Sequence, residues 1–279
     1  MTLAVDSSYQ LGTFRDNEDS LRRLKTQAGI VLDIEFEHMA QAGLRRQARV
    51  MDLGCGPGII ATQIAKRANP RRLVAADCND ISLAETRRQL SAAGVVDAEV
   101  MNLNVYDPDL ARAAGEFDFI CSRLLFQHLS DPLNALVNIR GCLAEQGRFC
   151  ICDIDDRWLG MAPEVKEFRS FLQRVGSAQA ERGGDRHVGS KLAHYLKRAG
   201  YADIRSSMLL LTTDLIGKDA FCDLIFGYKL EVVRAAEVEI ARDEMRAIKN
   251  GIFTEDGWAG VGVFFVSAQN DTKETKHER

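Results

Sequence analysis

Val50-Met51-Asp52-Leu53-Gly54-Cys55-Gly56-Pro57-Gly58 decides how this chain folds. It reads as an apolar strand, then a tight glycine-rich turn, then the start of a helix. Only glycine accepts the dihedrals of such a turn and lets a ligand lie against bare backbone. The helix that follows, from Ile59 to Arg67, points its N-terminal amides into the same crevice. A second apolar run, Leu73-Val74-Ala75-Ala76, closes on an acid, Asp77, where such folds hold a ribose. These features predict a site for an adenosine-type ligand.

The glycines fall as Gly54-x-Gly56-x-Gly58, not as the Gly-x-Gly-x-x-Gly of the dinucleotide fingerprint. Asp52, inside the turn, is poorly placed for a pyrophosphate and well placed for an ammonium group. Taken whole, Asp52 to Gly58 closely resembles motif I of the class I S-adenosylmethionine-dependent methyltransferases, and the resemblance covers residues 48–155. It implies S-adenosylmethionine as cofactor and S-adenosylhomocysteine as product. The implied fold is α/β: a doubly wound, Rossmann-like, mostly parallel seven-stranded sheet with an antiparallel last strand, plus a helical N-terminal lid and an inserted cap.

The alternation of strand and helix agrees with that fold. Strands are expected near 49–53, 72–76, 98–102, 117–121 and 147–153, and helices near 58–68, 81–93 and 131–144. Ligands in such sheets bind beyond the carboxyl ends of the strands. By the resemblance, Asp52, Gly54 and Gly56 meet the methionine end of the cofactor. Asp77 accepts the ribose hydroxyls and Cys78 packs on the adenine. In Leu103-Asn104-Val105 the family often has Gly-Asp-Ala; Asn104 keeps a carbonyl acceptor for the adenine amino group and Val105 follows it. Ser122 and Arg123 lie where backbone meets the methionine amino group. Arg123 is also open to an acidic substrate, the methionine carboxylate or a structural ion pair.

Methyl transfer from a sulfonium is an in-line displacement that needs alignment and exclusion of water, with no covalent intermediate. A hydroxyl acceptor adds the need for a base. His128, after the fourth strand, and Asp153, ending the fifth, match places where some sugar and natural-product O-methyltransferases carry an acid–base pair. The competing readings are a histidine that packs the next helix and a strand-end acid that caps backbone. Asp155 and Asp156 are further pocket-edge acids. His187 reads as a loop residue, and His38 and His194 as packing or surface groups. No group of Cys, His or acids has metal-ligand spacing, so no metal is expected.

The chain divides into an N-terminal helical lid (1–47), a cofactor-binding core (48–155), a helical cap insertion (156–187), the second part of the core with a helical insertion (188–269) and a disordered tail (270–279). Tyr9-x-x-Gly12 and Arg23-Leu24-x-x-Gln27 are similar to the opening of a bacterial natural-product subgroup, with Ser20 where that subgroup usually has Glu. Tyr9 and Gln27 are accordingly substrate-pocket candidates. The final run, Val261 to Ser267, is expected as the antiparallel strand.

At 279 residues the chain suits an α/β core plus a cap, and a formal charge of -4 carries no nucleic-acid footprint. The segment after the fourth strand, Ser122 to Pro132, lacks the Asn/Asp-Pro-Pro-Tyr/Phe signature of enzymes that methylate base amines or glutamine. A small-molecule acceptor in specialised metabolism is therefore expected, with no nucleic acid and no membrane; the oligomeric state is open, a homodimer included. Seven cysteines without a Cys-x-x-Cys pair read as reduced thiols, and no signal peptide or membrane span is visible, so the expected location is cytoplasmic. The alternatives are a protein methyltransferase, a non-catalytic binding partner or sensor for the cofactor, and a nicotinamide dehydrogenase.

Overall fold

A computed structural model describes residues 31–271. Tyr9, Gln27, most of the expected lid and the tail beyond 271 lie outside them. The described part of helix α1, residues 31–42, leads into strand β1 (Arg49–Leu53). Then follow α2 (Ile59–Ala68), β2 (Arg72–Asp77), α3 (Asp80–Ala92), β3 (Ala98–Asn102), α4 (Leu110–Ala114), β4 (Phe117–Arg123), α5 (Pro132–Gly141) and β5 (Leu143–Ala162). The second part runs α6 (Glu167–Ala180), α7 (Leu192–Arg198), β6 (Ala202–Thr212), α8 (Thr213–Ile216), α9 (Lys218–Phe226), α10 (Lys229–Val232), α11 (Val238–Ile252) and β7 (Trp258–Gln269).

The seven strands form one sheet in the order β3-β2-β1-β4-β5-β7-β6. β1 pairs in parallel with β2 and β4, and β7 runs antiparallel to both β5 and β6. The strand order reverses beside β1, so the ends of β1 and β4 form the crevice in which such sheets hold ligands. Local signals place the helices around it. Asn79 caps α3 by accepting the Ser82 amide at 3.0 Å. Asp131 caps α5 by accepting the Asn134 amide at 3.1 Å, with Pro132 in the first turn.

Two expectations need correcting. The fifth strand does not stop at Asp153, and residues 156–162 are not helical: β5 continues to Ala162, with a register shift between Ile154 and Leu159 before Leu159 to Ala162 pair with β7. Leu159 and Met161 are buried while Trp158 is exposed, the period-two alternation of a strand. The helical pattern begins only at Glu167. The tail was also placed too early. Asn270 is buried, and its side chain donates to the carbonyls of Leu143 at 2.9 Å and Ala144 at 3.3 Å.

The two expected insertions form one cap. Phe168, Phe171 and Val175 of α6 share a core with Phe221 and Phe226 of α9 and Ile248 and Ile252 of α11, and this core rests on Leu211 and Val261 of the extended strands. Each fully buried aromatic of this kind contributes roughly 1.5–3 kcal/mol through burial. The cap stands over the β4–β5 side of the crevice.

Candidate functional site

The glycine loop after β1 is held from below. The amides of Gly54 and Cys55 donate to the Ala76 carbonyl at 2.8 and 2.9 Å. Gly54, Gly56 and Gly58 all have positive φ, at 72°, 51° and 78°. A Cβ on Gly58 would stand 2.7 Å from the Thr86 methyl, so this glycine lets α3 close on the loop. A Cβ on Gly56 would meet nothing within 4 Å, so bare backbone faces open space there.

Asp77, at the end of β2, anchors the same loop. One carboxylate oxygen accepts the Gly56 amide and the other the Asn79 amide, both at 2.9 Å. The Cys78 amide also bonds to this carboxylate, so three of its four acceptor directions are taken and one remains for a ligand. Burial pushes the Asp77 carboxyl above its ordinary value, and the backbone amides of Asn79 and Gly56 work against that. Cys78, next in the chain, is half-buried, with its thiol pushed up to about 11 by burial. At the end of β3, the Asn104 side-chain oxygen accepts the Tyr106 amide at 3.0 Å. Asn104 thus holds its own turn, with one lone pair left for an adenine-like amine. Val105 behind it is buried.

Beneath the loop, between β1, β4 and α1, lies a narrow cavity lined by Glu35, Asp52, Ser122 and Arg123 among others. The Asp52 carboxylate takes a hydrogen bond from the Ala61 amide, in the first turn of α2, yet burial pushes it up to about 7. Arg123 donates to Glu35 Oε1 at 2.7 Å, tying α1 to the end of β4. Three buried atoms lining this cavity, Asp52 Oδ2, Glu35 Oε2 and Ser122 Oγ, have no hydrogen-bond partner among the described residues. Such atoms cost roughly 1–3 kcal/mol each until something bonds to them. Two carboxylate oxygens and a hydroxyl beside a guanidinium suit the ammonium and carboxylate of an amino-acid group. Next to Arg123, Leu124 has φ 56°. A non-glycine residue there stores about 1–2 kcal/mol, and such strain gathers at functional sites.

A second, larger cavity opens from the first, sharing Glu35, Arg123 and Cys152 with it. It is open to solvent at its mouth, and about 560 Å³ of empty space lies in it and that mouth together. Apolar side chains from β5, β6, β7 and α9 form most of its wall, and Asp156, Arg186, Tyr228 and Lys229 form its polar end. Arg186 grips Asp156 through Nε at 2.9 Å and a terminal nitrogen at 3.0 Å, and Lys229 Nζ donates to both oxygens at 3.0 and 2.8 Å. The two cations hold the Asp156 carboxyl well below the usual carboxylate range despite burial.

The remaining candidates sit differently from expectation. The pocket acid is Asp156, not Asp155. Asp155 points to the other face of β5, bound to Arg157 at 2.9 and 2.6 Å and to the Ser190 amide at 3.4 Å. Asp153 is fully buried and caps the turn at residues 126–128, accepting the amides of Gln127 at 3.2 Å and Ile154 at 2.9 Å. Burial pushes its carboxyl up to about 7. His128 is half-buried, its Nδ1 3.5 Å from Gln179 Nε2, and burial with the Arg186 charge pushes it down to about 3. Neither His128 nor Asp153 lines the larger cavity. Glu35, Arg186, Tyr228 and Lys229 were not singled out from sequence. A lysine or arginine in an ordinary polar context has no local mark of burial; only the fold reveals it.

Comparison with known proteins follows from this geometry. A family model described as a methyltransferase domain matches residues 19–206, more than half of the chain. The chain belongs to the methyltransferase-domain family. This methyltransferase-domain chain is 37% identical over 89 residues to malonyl-[acyl-carrier protein] O-methyltransferase of Enterobacter lignolyticus, 32% of each chain. It is 33% identical over 103 residues to ribosomal RNA small subunit methyltransferase C of Serratia proteamaculans, 36% of this chain and 28% of the other. The chain spans less than half the length of the curated relatives it matches. Among solved structures it resembles phosphoethanolamine N-methyltransferase 2 of Haemonchus contortus, with a TM-score of 0.59 at 14% identity over 92% of this chain and 58% of the other. That likeness extends the methyltransferase fold through the cap and the last strands. Among the described residues no group of His, Cys, Asp or Glu could hold a metal ion, and no helix is long and apolar enough to cross a membrane.

Proposed function

We propose that the protein is an S-adenosylmethionine-dependent methyltransferase acting on a small organic acceptor. One observation carries this reading: Asp52 Oδ2, Glu35 Oε2 and Ser122 Oγ are buried without partners in one cavity beside the Gly54–Gly58 loop. S-adenosylmethionine, when bound, supplies a methyl group activated by a sulfonium. Asp52, Glu35 and Ser122 accept from its ammonium group, and Arg123 faces its carboxylate. Asp77 receives a ribose hydroxyl on its free lone pair. Gly56 leaves its backbone open to the ligand, and Cys78, Asn104 and Val105 edge the adenine.

The chain's contribution to methyl transfer is to bring two reactants into line and shut out water. The larger cavity is the acceptor's place, since it opens from the donor cavity and is walled by the cap. Its mostly apolar wall suits a small molecule better than an RNA or protein surface. Acid–base help from His128 and Asp153 is the finer part of the reading. It is supported by the sequence resemblance alone: pushed down to about 3, the His128 imidazole is a weak base, and neither side chain lines the larger cavity. Asp153 acts there by holding the turn that carries His128. A reduced, cytoplasmic setting is supported by seven free cysteines.

The test is incubation with methyl-tritiated S-adenosylmethionine, the protein, and in parallel a panel of small hydroxy, amino and carboxylic compounds, ribosomal subunits, and acyl-carrier protein. Label in the small-molecule fraction is expected. Label in RNA or protein alone would overturn the choice of acceptor.

A further inference from the structure

The polar end of the larger cavity carries more positive charge than the protein itself balances. Arg186 and Lys229 share a single carboxylate, Asp156, and all three side chains are almost wholly removed from solvent. At the other end of the cavity Arg123 and Glu35 cancel each other. Asp153 also feels Arg186, but burial pushes its carboxyl up to about 7, so it offsets the second cation only in part, in surroundings where an unbalanced charge is costly. Arg186 spends its donors on Asp156 and on Gln127 Oε1 at 2.7 Å, and lies over the Tyr228 ring at 5.1 Å. Lys229 has three N–H donors. Two go to Asp156; no oxygen or nitrogen of a described residue accepts the third, and Nζ lies 5.6 Å from the centre of the Tyr228 ring.

We propose that Lys229 is an anion anchor and that the acceptor is an organic carboxylic acid, its carboxylate on Lys229 and its apolar body along the cavity wall. The proposal rests on the methyltransferase reading for the word acceptor, and on the cavity alone for the anion site. The surplus is at most one charge and one N–H, which suits a monoanion rather than a dianionic phosphate. The remaining wall, including Val31, Leu124, Ile154, Leu211, Leu224 and Val263, offers contacts to hydrocarbon and none to further charge. A sulfonium in the adjoining cavity adds positive charge and strengthens the same preference. Burial and the Arg186 charge push Lys229 down to about 8, against the pull of Asp156, so the ammonium form still prevails at neutral pH.

Calorimetric titration of the full chain with octanoate, phenylacetate and 4-phenylbutyrate, each against its primary amide, tests this. The titrations are run with and without saturating S-adenosylhomocysteine. At least one acid is expected to bind tenfold or more tightly than its amide. Lys229→Met should reduce that preference below twofold while leaving S-adenosylhomocysteine affinity within twofold. Asp156 keeps Arg186 in this variant. Should Lys229→Met fail to fold, Lys229→Gln, which keeps a donor without charge, is expected to show the same loss. No acid-over-amide preference in any pair, or a preference that survives loss of the lysine charge, would overturn the proposal. Failure of S-adenosylhomocysteine to bind would instead contradict the methyltransferase reading, and acid binding to the unliganded protein would still decide the anion site.

Discussion

Asp156 and Arg186 meet through two hydrogen bonds, at 2.9 and 3.0 Å, with both side chains almost wholly out of solvent. The pair joins β5 to the segment that follows the cap helix α6, and Lys229 from the second insertion closes on the same carboxylate. The cap is thus pinned to the sheet at the point where the larger cavity ends.

Removing that carboxylate strands two buried cations. Asp156→Ala is expected to destabilise the fold by about 3–5 kcal/mol, read from urea unfolding. A loss below about 1 kcal/mol would show that the cap does not depend on this junction.

Asp77 does two things at once, because its carboxylate holds the Gly56 and Asn79 amides as well as facing the ligand. Asp77→Ala is expected to lower S-adenosylhomocysteine affinity by roughly 10–100-fold, the worth of charge-assisted hydrogen bonds. It should also cost some stability through the loosened loop. Unchanged affinity in a folded variant would remove Asp77 from the ribose site.

The carboxyl of Asp52, pushed up to about 7 by burial, makes donor binding pH-dependent. Below that value the empty site holds the proton, and a ligand ammonium favours the charged carboxylate. Binding therefore releases a proton at pH 6, and affinity rises with pH before levelling off above about 7. Titrations at pH 6 in buffers of different ionisation enthalpy should report the released proton, and the release should shrink as pH rises from 6 to 7. Affinity that falls as pH rises from 6 to 8 would contradict this role for Asp52.

His128→Ala is expected to lower kcat by roughly 100-fold or more if His128 takes a proton from the acceptor, with little change in donor affinity. Asp153→Asn should lower kcat less, since an amide oxygen still caps the turn at 126–128. A His128→Ala enzyme with full turnover would leave positioning alone to drive transfer.

The core of this fold was legible because its signals are local. The run from Val50 to Gly58 and the acid at Asp77 each act within a few residues, and each stands at a strand end where the spacing places it. The continuation of β5 was not legible, because Leu159 to Ala162 pair with β7, about a hundred residues later, and no local pattern encodes that partner. Which of the two pocket-edge acids, Asp155 or Asp156, enters the cavity was not legible for a related reason. Neighbours on a strand face opposite sides, so a register shift after Ile154 decides which acid enters the cavity. Lys229 and Arg186 belong to separate insertions and acquire meaning only when the two pack into one cap.

The central claim is that Asp52, Asp77 and the glycine loop hold S-adenosylmethionine. Calorimetric titration of the purified protein with S-adenosylmethionine, S-adenosylhomocysteine and NAD tests it most directly. Saturable binding of both sulfur ligands and none of NAD is the predicted result. Binding of NAD, or of neither sulfur ligand, would contradict the account.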